Sequence, residues 1–352
     1  MAELVRQLGA EGPAPTLVFC SSDYDLARLG PALRAAFPGP LFGCTTAGQI
    51  GPGGFRAHGL SALRFDPLFF RVALYPIRPL SMASTRAAQI AEQVRRPPGL
   101  SAGAFGFLLI DGLSRAEERV ASALHSALPE LPIVGGSAGD DLQFAACHLL
   151  VEGGFCSDAA MLACIETTLP VRTLKFQHFV PSDTRLVITE AIPDERLVVE
   201  INGHPAAQEY ARLVGVPRDA LDATVFSKNP LLLAIGNDAY VRSIQRVNAD
   251  DSLRMFCAIE RGIVLRLGRG VDPLEALRQG LAPQGDEAEA ATILGCDCVL
   301  RRLEFEGEGT LDAVASTMAR AGVFAFSTYG EQINGLHVNQ TFTGVRIGGR
   351  LA

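Results

Sequence analysis

Apolar runs and helix-like stretches alternate through residues 1–140. Thr16-Leu17-Val18-Phe19-Cys20 is an apolar run, and Pro40-Leu41-Phe42-Gly43-Cys44 is the next. Between them Asp23 can cap a helix from Tyr24 to Phe37, closed by Pro38-Gly39. Strand–helix–strand order defaults to parallel pairing. Leu60–Phe65 and Phe69–Ile77 predict two more strands. The βα pattern then returns: a strand at Phe105–Ile110, a helix from Arg115 to Leu128, and Ile133-Val134 running into Gly135-Gly136-Ser137. This alternation predicts a layered N-terminal α/β domain with a mixed sheet.

From Ala145 the chain becomes strand-rich. A hairpin is expected through Glu152-Gly153-Gly154. Strands are expected at Arg172–Val180, Leu186–Thr189, Leu197–Ile201, Leu231–Ile235, Tyr240–Val247, Leu253–Ile259 and Ile263–Leu267. A strand from Thr292 to Phe305 and a helix at Thr310–Arg320 follow. The expected architecture is α/β and α+β: residues 1–204 as the layered domain, residues 205–352 as a sheet-rich α+β domain.

Near the C-terminus, Val323–Phe326 reads as a strand entering a Ser327-Thr328-Tyr329-Gly330 turn. Leu336–Val345 reads as a second strand, whose period of two places His337, Asn339, Thr341 and Thr343 on one face. Four polar side chains in a row need water, a hydrogen-bond network or a ligand, so this face is either solvated or a pocket wall. Cys44–Ile50 also echoes Ser327–Ile333 when aligned end to end, sharing Thr, Gln and Ile. The echo predicts that both stretches end a strand at comparable positions.

Composition narrows the function. The 352 residues are 48% hydrophobic and 20% charged, with net charge −7 and no basic cluster. Nucleic acid and anionic membranes are therefore poor partners. No run approaches the roughly 18 apolar residues of a membrane span, and Met1–Glu11 lacks the basic start and apolar core of a signal peptide. Eight cysteines lack framework spacing, which fits reduced thiols and a cytoplasmic location.

The catalytic motifs are weak. Gly135-Gly136-Ser137-Ala138-Gly139 matches G-x-S-x-G, but a nucleophile elbow needs a helix directly after its serine, and a hairpin is expected here. A tight turn lining a pocket is favoured over a hydrolase that uses Ser137. Cys296-Asp297-Cys298 has no second pair to complete a zinc site. In Leu174–Val180, strand alternation would put His178 with Leu174, Phe176 and Val180. Such a histidine is either a core residue or an axial haem ligand. Arg242 beside Tyr240, and Arg301 beside Val299, Leu303 and Phe305, need acidic partners or a ligand carboxylate.

Four motifs carry a family resemblance: Gly43–Ile50, Gly135–Asp141, Asn202–Ala207, and Phe326–Glu331 with His337–Thr341. In this order they resemble the FIST family of bacterial sensory proteins. Gln177-His178-Phe179, Val241–Gln245 and Asp297–Glu304 resemble its stand-alone nitric-oxide-sensing branch. The resemblance implies a sensor rather than an enzyme, binding b-type haem and acting on a separate histidine kinase or cyclic-di-GMP enzyme. If haem is bound, the apolar strand face makes His178 a better iron ligand than His337, with Arg242 and Arg301 at the propionates; Thr45, Ser137, Ser327, Thr328, His337 and Asn339, each on or after a strand in a family motif, are expected around one cavity for a small-molecule or gaseous ligand. A sensor of an amino-acid-like metabolite without haem is the alternative, and a homodimer is left open.

Overall fold

The computed structural model describes residues 2–9, 12–94, 103–236, 238–285, 287 and 291–348. It divides into two compact units, one drawn from residues 1–175, 280–337 and 342–352, the other from 176–279 and 338–341. The expected boundary at 204/205 falls inside the second unit, in the hairpin at His204–Pro205. Both segments of the sequence feed the first unit, because strands near the C-terminus hydrogen-bond to strands before residue 175.

The first unit is mixed α/β, built on three strand–helix–strand passages among the described residues. Thr16–Cys20 pairs in parallel with Leu41–Thr45 across the helix Leu26–Ala36. Phe105–Ile110 pairs with Ile133–Ser137 across Glu117–Ala127. Thr292–Cys298 pairs with Val323–Thr328 across Val299–Gly307 and Leu311–Arg320. Their strands read as near-continuous apolar runs because both faces are covered.

Each passage then lends a short strand to another passage's sheet. Gln49–Gly51, just after the first pair, joins Val323–Thr328. Leu149–Val151, after the second, joins Leu41–Thr45. Glu331–Ile333, after the third, joins Ile133–Ser137. The loan closes a ring. Gly139 N–H donates to the Thr45 carbonyl at 3.0 Å, Tyr329 N–H to that of Ser137 at 3.2 Å, and Ala47 N–H to that of Ser327 at 3.0 Å. Thr45, Ser137 and Ser327 are thus equivalent positions. The echo between Cys44–Ile50 and Ser327–Ile333 is real but shifted by one residue, with Thr45 matching Ser327 and Gly48 matching Gly330.

The inner faces of the three pairs share one core, including Phe19, Cys44, Phe107, Val134, Cys296 and Phe326. Phe19 and Phe326 lie 4.4 Å apart between ring centroids. Each fully buried phenylalanine contributes about 1.5–3 kcal/mol. On the outer side, Leu33 packs with Val18 and Leu41, and Val120 and Leu124 pack with Leu108 and Ile133.

The second unit is sheet-rich α+β. Its strands run in the order Asp238–Arg242, Leu231–Ile235, Val264–Gly270, Phe179–Ile192, Leu197–Ile201, Leu253–Met255, Ile244–Val247. Tyr210 of the helix Ala206–Val214 and Phe226 cover one side. Gln340 belongs here: its Oε1 accepts from Ser243 Oγ at 2.7 Å, and its Nε2 donates to the Ser227 carbonyl at 3.0 Å.

Four local expectations change. The strand from Thr292 ends at Cys298, and Val299–Gly307 is helical, held at its start by Arg301 pairing with Asp297 one turn earlier at 2.7 Å. Leu336–Val345 breaks into Leu336–Val338 and Phe342–Ile347, because Gln340 turns to a left-handed φ of 47° and Thr341 Oγ1 donates to the Asn339 carbonyl. Arg172–Val180 breaks between Phe176 and Phe179, so His178 sits at a bend and not on an apolar strand face. The helix Leu26–Ala36 is capped by Asp25, whose carboxylate accepts from Arg28 N–H, and not by Asp23. No described helix is long and apolar enough to cross a membrane.

Candidate functional site

In the first unit, the strand ends after the parallel pairs carry a buried polar chain. Ser137 closes Ile133–Ser137 with no exposed surface. Its Oγ accepts from Gln332 Nε2 at 2.9 Å, and the same nitrogen lies 3.2 Å from His337 Nδ1. An amide nitrogen donates, so Nδ1 is the acceptor in this contact. Gln332 is fully buried and His337 is 2% exposed. Gln332 Oε1 has no hydrogen-bond partner among the described residues. A buried acceptor left unmatched costs about 1–3 kcal/mol, so it asks for a donor.

The chain is walled closely. A Cβ on Gly112 would lie 3.2 Å from Ser137 Cβ and 3.1 Å from Tyr329 Cβ. The Asp140 carboxylate accepts from the Tyr329 hydroxyl and from the backbone N–H of Phe144, Ala145 and Ala146 at 2.6–2.9 Å. Phe144 stacks on Tyr329 with centroids 4.8 Å apart. Burial, then the Asp140 carboxylate, raises the Tyr329 phenol far above its usual range, so it acts only as a neutral hydrogen-bond group. The loop replaces the helix that a nucleophile elbow requires, and the hydrogen bond recorded for Ser137 Oγ comes from Gln332, which also contacts His337.

The sequence-predicted residues divide. Ser137 and His337 are brought together through Gln332. Thr45 Oγ1 accepts the His148 N–H at 3.0 Å. Thr328 gives its hydroxyl to Glu331. Strand alternation turns Ser327 the other way, onto the face of its register partner Asp297; Ser327 Oγ is buried without a partner among the described residues. Arg301 is fully buried in the ion pair with Asp297, the internal pairing one of its two readings anticipated. Asn339 belongs to the second unit.

His178 and Arg242 also lie in the second unit, 1% and 8% exposed. The His178 ring lies 4.2 Å from that of Phe179, which clusters with Leu232 and Val241. The His178 imidazole is thus buried at a bend beside apolar side chains, and Arg242 closes the strand Asp238–Arg242 of the same unit. Cavities of about 310 Å³ and 270 Å³ open elsewhere in the first unit, beside Arg34 and Met161 and beside Phe69 and Glu166; none of the predicted residues lines either.

Gln332, Tyr329 and Asp140 were not singled out from sequence. No local pattern marks Gln332, which lies in the fully buried three-residue strand Glu331–Ile333.

The FIST N domain matches residues 16–204 and the FIST C domain residues 206–334. The chain belongs to the FIST family, whose domains serve as small-ligand sensors in signalling. It is similar to the uncharacterized protein MJ1623 of Methanocaldococcus jannaschii, 24% identical over 182 residues, covering 49% of this chain and 35% of that protein. The chain thus matches about a third of the length of that curated relative.

Proposed function

We propose that the protein senses a small polar ligand held by the Ser137–Gln332–His337 chain. The unmatched, fully buried Gln332 Oε1 supports this reading: it calls for a donor such as an ammonium or amide N–H. An amino-acid-like metabolite has that donor, and Ser137 Oγ and the imidazole supply complementary polar contacts. Binding biases the loop built on Asp140 and Tyr329, and a separate histidine kinase or cyclic-di-GMP enzyme in the cytoplasm reads the change. No covalent step belongs to this role. Thermal-shift screening of amino acids against the wild-type protein and Gln332→Leu tests it. A ligand that stabilises the wild type and not the variant supports the site; equal stabilisation of both rejects it.

A second reading follows from the burial of His178 beside Phe179 in the same unit as Arg242. There His178 would hold the iron of a b-type haem and Arg242 a propionate. The bound haem would supply the iron that takes up nitric oxide. The absorption spectrum of protein from haem-replete cells tests this. A Soret band lost in His178→Ala supports it, and its absence, or its survival in that variant, removes it.

A further inference from the structure

At the rim of the first unit, three segments distant in sequence meet at Asp23, His58 and Asp141. One ligand atom from each, a carboxylate oxygen or an imidazole nitrogen, lies within 4.8 Å of the other two. His58 Nδ1 and Asp23 Oδ2 are 2.9 Å apart. Two cis ligands at about 2.1 Å from one ion stand roughly 3 Å apart, so this pair already has the spacing of one coordination edge. Asp141 is oriented by the two serines that precede Asp23. Its Oδ2 accepts from Ser21 Oγ at 2.6 Å, and from Ser22 N–H and Ser22 Oγ at 3.2 Å. All three bonds fall on one oxygen, leaving Oδ1 to coordinate, and partners of this kind hold a ligating carboxylate in place.

We propose that Asp23, His58 and Asp141 bind a divalent first-row transition ion such as Zn²⁺ or Co²⁺. Two carboxylates and an imidazole form a mixed oxygen–nitrogen set, which favours these ions over Mg²⁺, a cation that prefers oxygen alone. Asp23 and His58 are exposed, so the remaining coordination positions face solvent. The site goes beyond the polar chain described above and shares no residue with it. It has a structural consequence, because Asp141 opens the loop in which Asp141, Leu142 and Phe144 all adopt left-handed backbone. A bound ion ties that loop to the turn after the strand Thr16–Cys20.

Isothermal titration of untagged, metal-free protein with Zn²⁺, Co²⁺ and Mg²⁺ decides the matter. The expected result is saturable binding of one Zn²⁺ or Co²⁺ per chain, no heat from Mg²⁺, and affinity reduced about tenfold or more in His58→Ala and in Asp141→Asn. Circular dichroism checks that each variant is folded. If Asp141→Asn unfolds, His58→Ala decides alone, because that side chain is 68% exposed. Absence of one-to-one binding, or unchanged affinity in folded His58→Ala, overturns the proposal. Binding that survives in the variant would assign the metal to other ligands.

Discussion

Gln332 reaches Ser137 across 2.9 Å of space and 195 residues of chain. That bond joins a strand lent by the third parallel pair to the strand that ends the second. The same amide nitrogen serves His337, so one side chain orients two polar partners.

Gln332→Leu removes the donor from both partners. Stranding buried polar groups costs about 1–3 kcal/mol. Urea unfolding should show a loss in that range with an unchanged slope. Ser137→Ala, which deletes only one end, should cost less. Equal stability of Gln332→Leu and wild type would dissolve the chain as an energetic unit.

The Asp297–Arg301 pair has no exposed surface. Removing one partner leaves the other charge buried, at a cost of about 3–5 kcal/mol. Arg301→Met should therefore be strongly destabilised in chemical denaturation. Asp297→Leu combined with Arg301→Met should recover most of that loss, and a double variant as weak as the single one would contradict this account.

Two glycines permit close approach within parallel pairs. A Cβ on Gly43 would stand 1.8 Å from the Val18 carbonyl oxygen, and one on Gly135 2.0 Å from that of Leu108. Gly43→Ala and Gly135→Ala should each lose about 3 kcal/mol or more, since backbone cannot yield as a side chain does. Gly51→Ala meets nothing within 4 Å and should be near neutral. Comparing soluble yield and urea midpoint across the three variants checks this.

In the second unit, Glu209 accepts two bonds from Arg212 at 2.7 Å and one from Asn202 at 2.8 Å. Arg212 chiefly draws its carboxyl down to about 2 from the ordinary 4.5. A depressed folded value stabilises the protein above the unfolded value and loses that contribution as pH falls from about 4.5 towards 2. Glu209→Gln should therefore unfold more easily at pH 7, by about 1–2 kcal/mol. The gap should close as the pH approaches 2. A gap that is constant with pH would assign the effect to packing.

The first two parallel pairs were legible because each sets a helix between buried apolar runs; the third was not, because its first helix, Val299–Gly307, read as a continuation of the strand. The lent strands were not. Gln49–Gly51 and Glu331–Ile333 are three residues long, too short for periodicity to register, and their partners lie far along the chain. Val299–Phe305 misled because Val299, Arg301 and Phe305 are buried in a helix as they would be in a strand. Only Leu303, 40% exposed, separates the two periods. His337 and Ser137 stood out as polar residues at strand positions. Their connection through Gln332 depends on tertiary pairing that no local pattern encodes.

The exchange of strands bears on synthesis at the ribosome. When the first 175 residues have emerged, the strands Ile133–Ser137 and Gln49–Gly51 still await partners from residues 323–333. Open edges of this kind invite pairing with other chains. The nascent protein therefore passes through a sticky intermediate that only the emergence of residues 323–333 relieves. A chaperone acting on this chain would stay engaged until those residues appear.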